Sequence, residues 1–195
     1  MSLLSKQATA LLLGAIASLV VATAHAAPAK TTGDAPAQKI SLLGGKLNFT
    51  LPKGFTATPL PAGELTQGTA GATGTMYSNA TRKTVVITAE NTIVNGANVK
   101  DNDNAFLDTT FADFAVQKTK ALPDAKILGE KSLTQKGTGL GLRQLDTSAT
   151  QGGGPTLDTT LIGASGTRMA VVQIISRASD KTAHEALVKQ FASGQ

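Results

Sequence analysis

Hydrophobic and polar positions change rhythm several times along this chain, and each change marks an element. Leu47, Phe49 and Leu51 alternate with Lys46, Asn48 and Thr50, the period of a strand with one buried face. Ile40-Ser41-Leu42-Leu43 ahead of them reads as a partner strand, with Gly44-Gly45 as a two-residue hairpin turn that tolerates positive φ. Pro52–Phe55 breaks the second strand. Thr56–Thr75, rich in Gly, Pro, Thr and Ala, reads as one long irregular loop, a length that in a compact domain is either functional or mobile. Met76-Tyr77 lead a short strand, Ser78–Arg82 form a turn, and the β-branched run Thr84–Ala89 predicts a central strand. A polar connection, Glu90–Asp101, follows.

The period then lengthens. In Asp103–Lys120, Leu107, Phe111, Phe114 and Lys118 fall at i, i+4, i+7 and i+11, and Phe106 and Ala115 widen the stripe, which predicts an amphipathic helix. Asp101, Asn102 or Asp103 can cap it, Lys118 and Lys120 complement its C-terminal dipole, and Pro123 ends it. Four strands come next: Lys126–Thr134, Gly141–Thr150, Thr156–Gly163 and Thr167–Ser176. Glycine turns separate them, among them Gly152-Gly153-Gly154-Pro155. A closing helix, Asp180–Ala192, is capped by Ser179 or Asp180 and presents Ala183, Leu187, Val188 and Phe191 on one face. No internal repeat is visible. Strands joined by tight turns, with helices separated in sequence, predict an α+β fold: an antiparallel sheet with helices packed on it as an α/β/α sandwich.

The first residues follow a different logic. Lys6 is a short positive region, Ala8–Val21 is an uncharged apolar run, and Ala22-Thr23-Ala24-His25-Ala26 is a stretch of mostly small residues before Ala27-Pro28. Those three parts in that order make a secretory signal. Ala24 and Ala26 stand at the −3 and −1 positions, so the expected cut falls between Ala26 and Ala27. The apolar core is shorter than the roughly 20 residues of a spanning helix. The expected organisation is a signal peptide at 1–26, a disordered Ala-, Pro- and Thr-rich linker at 27–39, and a single domain at 40–193. After cleavage no membrane span remains, and the expected location is the soluble periplasm.

Composition narrows this further. The chain has no cysteine, which removes lipidation at a signal cysteine, disulfide stapling and most zinc sites together. There are 18 Lys and Arg against 13 Asp and Glu, for a net charge of +5, of which Lys6 would leave with the signal. The cations stand singly or in pairs such as Arg82-Lys83. Nucleic-acid binding wants clustered cations interleaved with aromatics, and the Phe residues here sit at core positions, so no nucleic-acid partner is expected.

Candidate chemistry is sparse. His184, between Ala183 and Glu185, reads as a solvated residue on the closing helix. Ser165, in Gly163-Ala-Ser-Gly166, belongs to a turn and not to a nucleophile elbow. Asp101-Asn-Asp103-Asn104 begins like a calcium loop, but Ala105 and Phe106 stand where a ligand and the turn glycine should follow, which leaves helix capping. Gly137-Thr-Gly139-Leu-Gly141 lacks the Lys-Ser/Thr of a phosphate loop. No catalytic, cofactor-binding or metal residue is assigned, and no cofactor is expected. A concave site is most worth seeking near Arg143, Asp146 and the Thr56–Thr75 loop.

The run Leu42-Leu43-Gly44-Gly45-Lys46-Leu47-Asn48-Phe49-Thr50-Leu51-Pro52 resembles the opening of the DcrB-like bacterial envelope proteins. Met76-Tyr77-Ser78-Asn79-Ala80-Thr81 before Val85-Val86-Ile87 is similar too, as are Gln144-Leu145-Asp146 before a glycine turn, the strand Val171–Ile175 and a closing amphipathic helix. The resemblance spans nearly all of Ile40–Phe191 and rests on the ordered set of short motifs. It implies a PsbP-like α/β/α sandwich, a periplasm-facing location and a non-enzymatic part in envelope integrity or surface interactions, and it supplies no catalytic residues. Lipoprotein members carry a lipidated cysteine, which this chain lacks. The function expected is therefore a non-enzymatic periplasmic binding module whose partner is an envelope protein or membrane component. A carboxylate-based hydrolase or lipid-handling protein is one alternative, and a structural homo-oligomer built by strand addition is another.

Overall fold

The computed structural model describes residues 35–61, 72–93 and 96–194. The signal segment 1–26, the cleavage residues Ala24, Ala26 and Ala27, and the linker as far as residue 34 lie outside the described residues.

Among the described residues nine strands and two helices follow one another, in the expected order apart from one added strand at Thr56–Pro59. A short antiparallel pair, β1 (Gln38–Leu42) and β2 (Leu47–Leu51), forms its own two-stranded sheet. The remaining strands are β3 (Thr56–Pro59), β4 (Thr73–Asn79), β5 (Thr84–Thr92), β6 (Lys126–Thr134), β7 (Gly141–Gln151), β8 (Gly154–Ser165) and β9 (Arg168–Arg177). They make one seven-stranded sheet in the order β3-β4-β5-β9-β8-β7-β6, with every neighbouring pair antiparallel. Helix α1 (Asn104–Ala121) covers one face over β7 and β8, and α2 (Lys181–Ser193) lies on the other face beside the β1–β2 pair. The PsbP-like α+β sandwich expected from the sequence is the fold observed.

Strand alternation sends successive side chains into two cores. On the α2 side, Leu142, Leu161, Ala170, Val172 and Ile174 meet Leu47, Phe49, Leu187 and Phe191. On the α1 side, Leu145, Ile162, Met169 and Val171 meet Leu107 and Phe114. Strand β9, buried along nearly its whole length, is the central strand, and β5 is its interior neighbour. A near-continuous Val/Ile run is what a strand covered on both faces requires.

The β7–β8 connection needs glycine. Gln151 pairs with Gly154, and the two residues between, Gly152 and Gly153, have φ of 55° and 80°. Positive φ at both central positions is the type I′ requirement that matches strand twist.

Three expectations change. The Leu42–Leu47 connection is a 3-10 turn over Leu43–Gly45 and not a two-residue hairpin. Leu43 itself takes φ 53°, held there because its N–H donates to Glu90 Oε1 at 3.1 Å. Thr56–Thr75 is not one loop: Thr56–Pro59 pairs with Thr75–Ser78 as the outer strand β3, and β4 begins at Thr73. Residues 62–71 are outside the described residues. Proline is tolerated in β3 because it is an edge strand. Strand β1 begins at Gln38, two residues inside the expected linker.

Candidate functional site

A cleft of about 590 Å³ opens between the edge of the sheet at β6–β7 and helix α2. Its apolar walls include Leu128, Leu133, Leu157 and Val188, and its polar floor holds Gln144, Asp146, Thr159 and His184. Lys131, Lys181 and Lys189 lie along the rim with Glu185.

The floor is built by register. Asp146 on β7 pairs with Thr159 on β8, so both side chains leave the same face of the sheet. Thr159 Oγ1 donates to Asp146 Oδ1 at 2.6 Å. That commits the only hydroxyl proton of Thr159, so its oxygen accepts from His184 Nε2–H at 3.0 Å. His184 Nδ1 then accepts from the Ser176 hydroxyl at 3.1 Å. The network thus selects the neutral Nε2–H tautomer. Asp146 also takes the Gln144 Nε2 amide on both oxygens at 2.8 Å and Lys131 Nζ on Oδ2 at 3.3 Å.

His184 is therefore not the solvated helix residue its polar neighbours suggest; it is 4% exposed. The signal that finds it is periodicity: His184, Leu187, Val188 and Phe191 are spaced i, i+3, i+4 and i+7, one helix face, and all four are buried. Burial pushes its pKa down from the ordinary 6.5, against the opposing pull of Asp158, Asp146 and Glu185. The unfolded chain takes up this proton near its ordinary pKa, whereas the folded chain resists it. Stability contributed by the neutral ring is complete above that value and is lost as pH falls below it. The expected result is a urea midpoint that drops between pH 7 and pH 5. His184→Gln, which keeps a donor and an acceptor, should flatten that slope; an equal slope in the variant assigns it elsewhere. The depressed carboxylates lie outside this window. Hydrogen bonds from Lys46 and Ser165 hold Asp101 below 3.8, and those from Thr150 do so for Asp124, so their stabilisation is lost only at more acidic pH.

Of the two residues named for a concave site, Asp146 lines this cleft and Arg143 does not. Three positions apart on a strand, they must leave opposite faces. Arg143 turns to α1, where its Nε donates to Asp108 Oδ1 at 2.6 Å and its Nη2 to Asn104 Oδ1 at 2.9 Å. The described part of Thr56–Thr75 does not line the cleft. Ser165 ends β8 and donates to Asp101 at 2.6 Å, and Asp103 caps α1 by accepting from Phe106 N–H. The capping reading of Asp101–Asn104 thus settles on Asp103. Among the described residues no cluster of His, Cys, Asp and Glu has metal-site geometry.

The opposite face carries a second polar group, sealed beneath α1. Lys118 Nζ lies 2.6 Å from Asp158 Oδ2, with the two side chains 1% and 0% exposed. Gln173 Nε2 donates to the same carboxylate at 2.6 Å.

The antiparallel sheet, its two covered faces and the accessory hairpin make a PsbP-like α+β fold. The solution structure of cyanobacterial PsbP (CyanoP) from Synechocystis sp. PCC 6803 superposes with a TM-score of 0.55 at 10% identity, over 84% of this chain and 96% of that one. A crystal structure of a protein of unknown function from Pseudomonas aeruginosa aligns with a TM-score of 0.43 at 14% identity, over 80% of this chain and 92% of that one. The first likeness shows the fold. No family model and no curated protein matches the sequence. No helix among the described residues is long and apolar enough to cross a membrane.

Proposed function

We propose that this chain is an exported, DcrB-like envelope protein that acts in the periplasm by binding, without catalysis, and that the cleft between β6–β7 and α2 is its binding site. The observation that carries the reading is the cleft itself: apolar walls over a carboxylate floor whose hydroxyl and imidazole groups are buried and hydrogen-bonded to one another. The line Asp146–Thr159–His184–Ser176 places a carboxylate, an imidazole and a hydroxyl in series, as hydrolysis would need. Yet Ser176 and Thr159 are each 2% exposed, and both ring nitrogens of His184 are already engaged. Neither hydroxyl is free to attack a substrate carbonyl in this arrangement.

The homo-oligomer reading is disfavoured at the sheet edge. Strand β6 is an exposed edge, but its ladder with β7 slips between Ile127 and Gly129, and it carries Lys126, Glu130 and Lys131. An irregularity and charges on an edge strand are devices that block edge-to-edge pairing.

The test is site-specific photo-crosslinking in cells that export the protein. A probe at Leu128, 58% exposed on the cleft wall, should capture a defined envelope component, whereas one at Val116, 52% exposed on α1, should not. Mass spectrometry of the captured protein should find its N-terminus at Ala27. Equal capture at both positions, or an N-terminus at Met1, overturns the reading.

A further inference from the structure

We infer that the cleft takes a primary ammonium group carried on an apolar chain, seated on Asp146 in place of Lys131. The inference rests on the binding reading above and names the chemistry of the ligand.

Asp146 lies on the cleft floor, where side-chain donors hold its carboxyl oxygens. Thr159 at 2.6 Å and Gln144 at 2.8 Å donate to it, and neither brings a charge. Among the described residues its single ionic partner is Lys131, at 3.3 Å, with side chains 57% and 21% exposed for Lys131 and Asp146. A solvated pair of this kind contributes little, so another ammonium can replace it with little loss. The Lys131 side chain, already mostly in water, then returns to solvent. The buried Lys118–Asp158 pair shows the contrast, since its cation has no path by which to exchange. Lys131 is thus a tethered stand-in that marks where a cationic head sits.

The walls define the rest of the ligand. Leu128 is an exposed large apolar residue, and with Leu133, Leu157 and Val188 it lines the space beside the carboxylate. Each methylene buried against these walls adds affinity, which favours an aliphatic chain over a compact polar amine. The rim lysines do not reverse the preference. Lys181 is answered by Glu185 at 3.7 Å and is 71% exposed, and Lys189 is exposed as well, so solvent weakens both fields, while Asp146 acts at contact distance. An anionic head would have to lie against the Asp146 carboxylate or remain at the solvated rim.

The probes are decylamine, decanoate and decanol, each below its aggregation limit, titrated into the folded mature chain and followed by amide NMR. Decylamine should shift Leu133, Leu157 and Val188 and bind about tenfold more tightly than decanol, the value of one charge-assisted hydrogen bond. Lys131→Ala should tighten the amine several-fold by removing the competitor, and Asp146→Asn should abolish its advantage over decanol. Because Asp146→Asn also touches the His184 network, the surface variant Lys131→Ala decides the matter. Weaker or unchanged amine binding in Lys131→Ala overturns the inference. So does a preference for decanoate that Lys131→Ala reduces, which would leave the cleft a binding site of opposite polarity. If none of the probes binds, this inference fails, and the Leu128 crosslink still judges the binding reading separately.

Discussion

Lys118→Ala should lower the unfolding free energy by about 3–5 kcal/mol, read as a fall in the urea midpoint at unchanged m-value. The reason is the charge left behind. Asp158 is fully buried between β7 and β9 beneath α1, and Lys118 is its only ionic partner among the described residues. Removing the ammonium leaves a carboxylate held by Gln173 and, at 3.5 Å, by Thr160. Those neutral donors cannot replace a counter-charge at low dielectric, so the acid must take up a proton or the helix must lift. Removing both charges is a different matter. Lys118→Met with Asp158→Asn leaves no buried charge, and the new amide can supply the donor that Gln173 Oε1 lacks. The double variant should recover most of the loss, since well-packed neutral replacements of buried ion pairs are often neutral or stabilising. A single variant within about 1 kcal/mol of the parent, the strength of a surface pair, would show the pair to be hydrated in solution.

Lys118 also illustrates what the sequence discloses. Its place at the end of the Leu107–Phe111–Phe114 stripe is readable from helical spacing, and the structure buries it there. Spacing alone favours assigning such a lysine to the helix C-terminal dipole, because the compensating carboxylate is 40 residues away on β8. Nothing in Thr156–Gly163 marks Asp158 as inward-facing: the strand alternates polar residues on both faces, and Thr159 and Thr160 are both buried. His184 fails for a related reason. Its flanking Glu185 suggests solvent, while its i, i+3, i+4 relation to Leu187 and Val188 places it in the core. The strands and helices themselves are legible because hydrophobic period and glycine turns are local properties. The cleft is not, because it depends on how far α2 stands from β6, and that distance is set by packing between segments remote in sequence. Asp146 was nameable, but its separation from Arg143 follows once both are placed on one strand.

Phe191→Ala should cost about 3–5 kcal/mol and should loosen the β1–β2 pair more than the central sheet. Phe191 is 0% exposed and its ring centroid lies 4.2 Å from that of Phe49, at an interplanar angle of 51°. That contact joins α2 to a two-stranded unit that shares no ladder with the main sheet. An isolated hairpin is marginal in water, so β1 and β2 depend on side-chain packing for their place. Gln190 Nε2 donates to Thr50 O at 2.9 Å, and the Gln135 amide pairs with the N–H and C=O of Asn48 at 3.2 and 2.8 Å; these bonds fix the position of β2, while the apolar contacts supply most of the stabilisation. Hydrogen exchange should therefore show β2 amides losing protection ahead of those of β9. If both lose it together, the hairpin and sheet form one cooperative unit. The consequence reaches the cleft, since α2 carries His184 and Val188 on the same face as Phe191. A helix that no longer seats against Phe49 widens the wall opposite Leu133, so the variant should also weaken decylamine binding, whereas Phe114→Ala, a truncation of similar size beneath α1, should spare it.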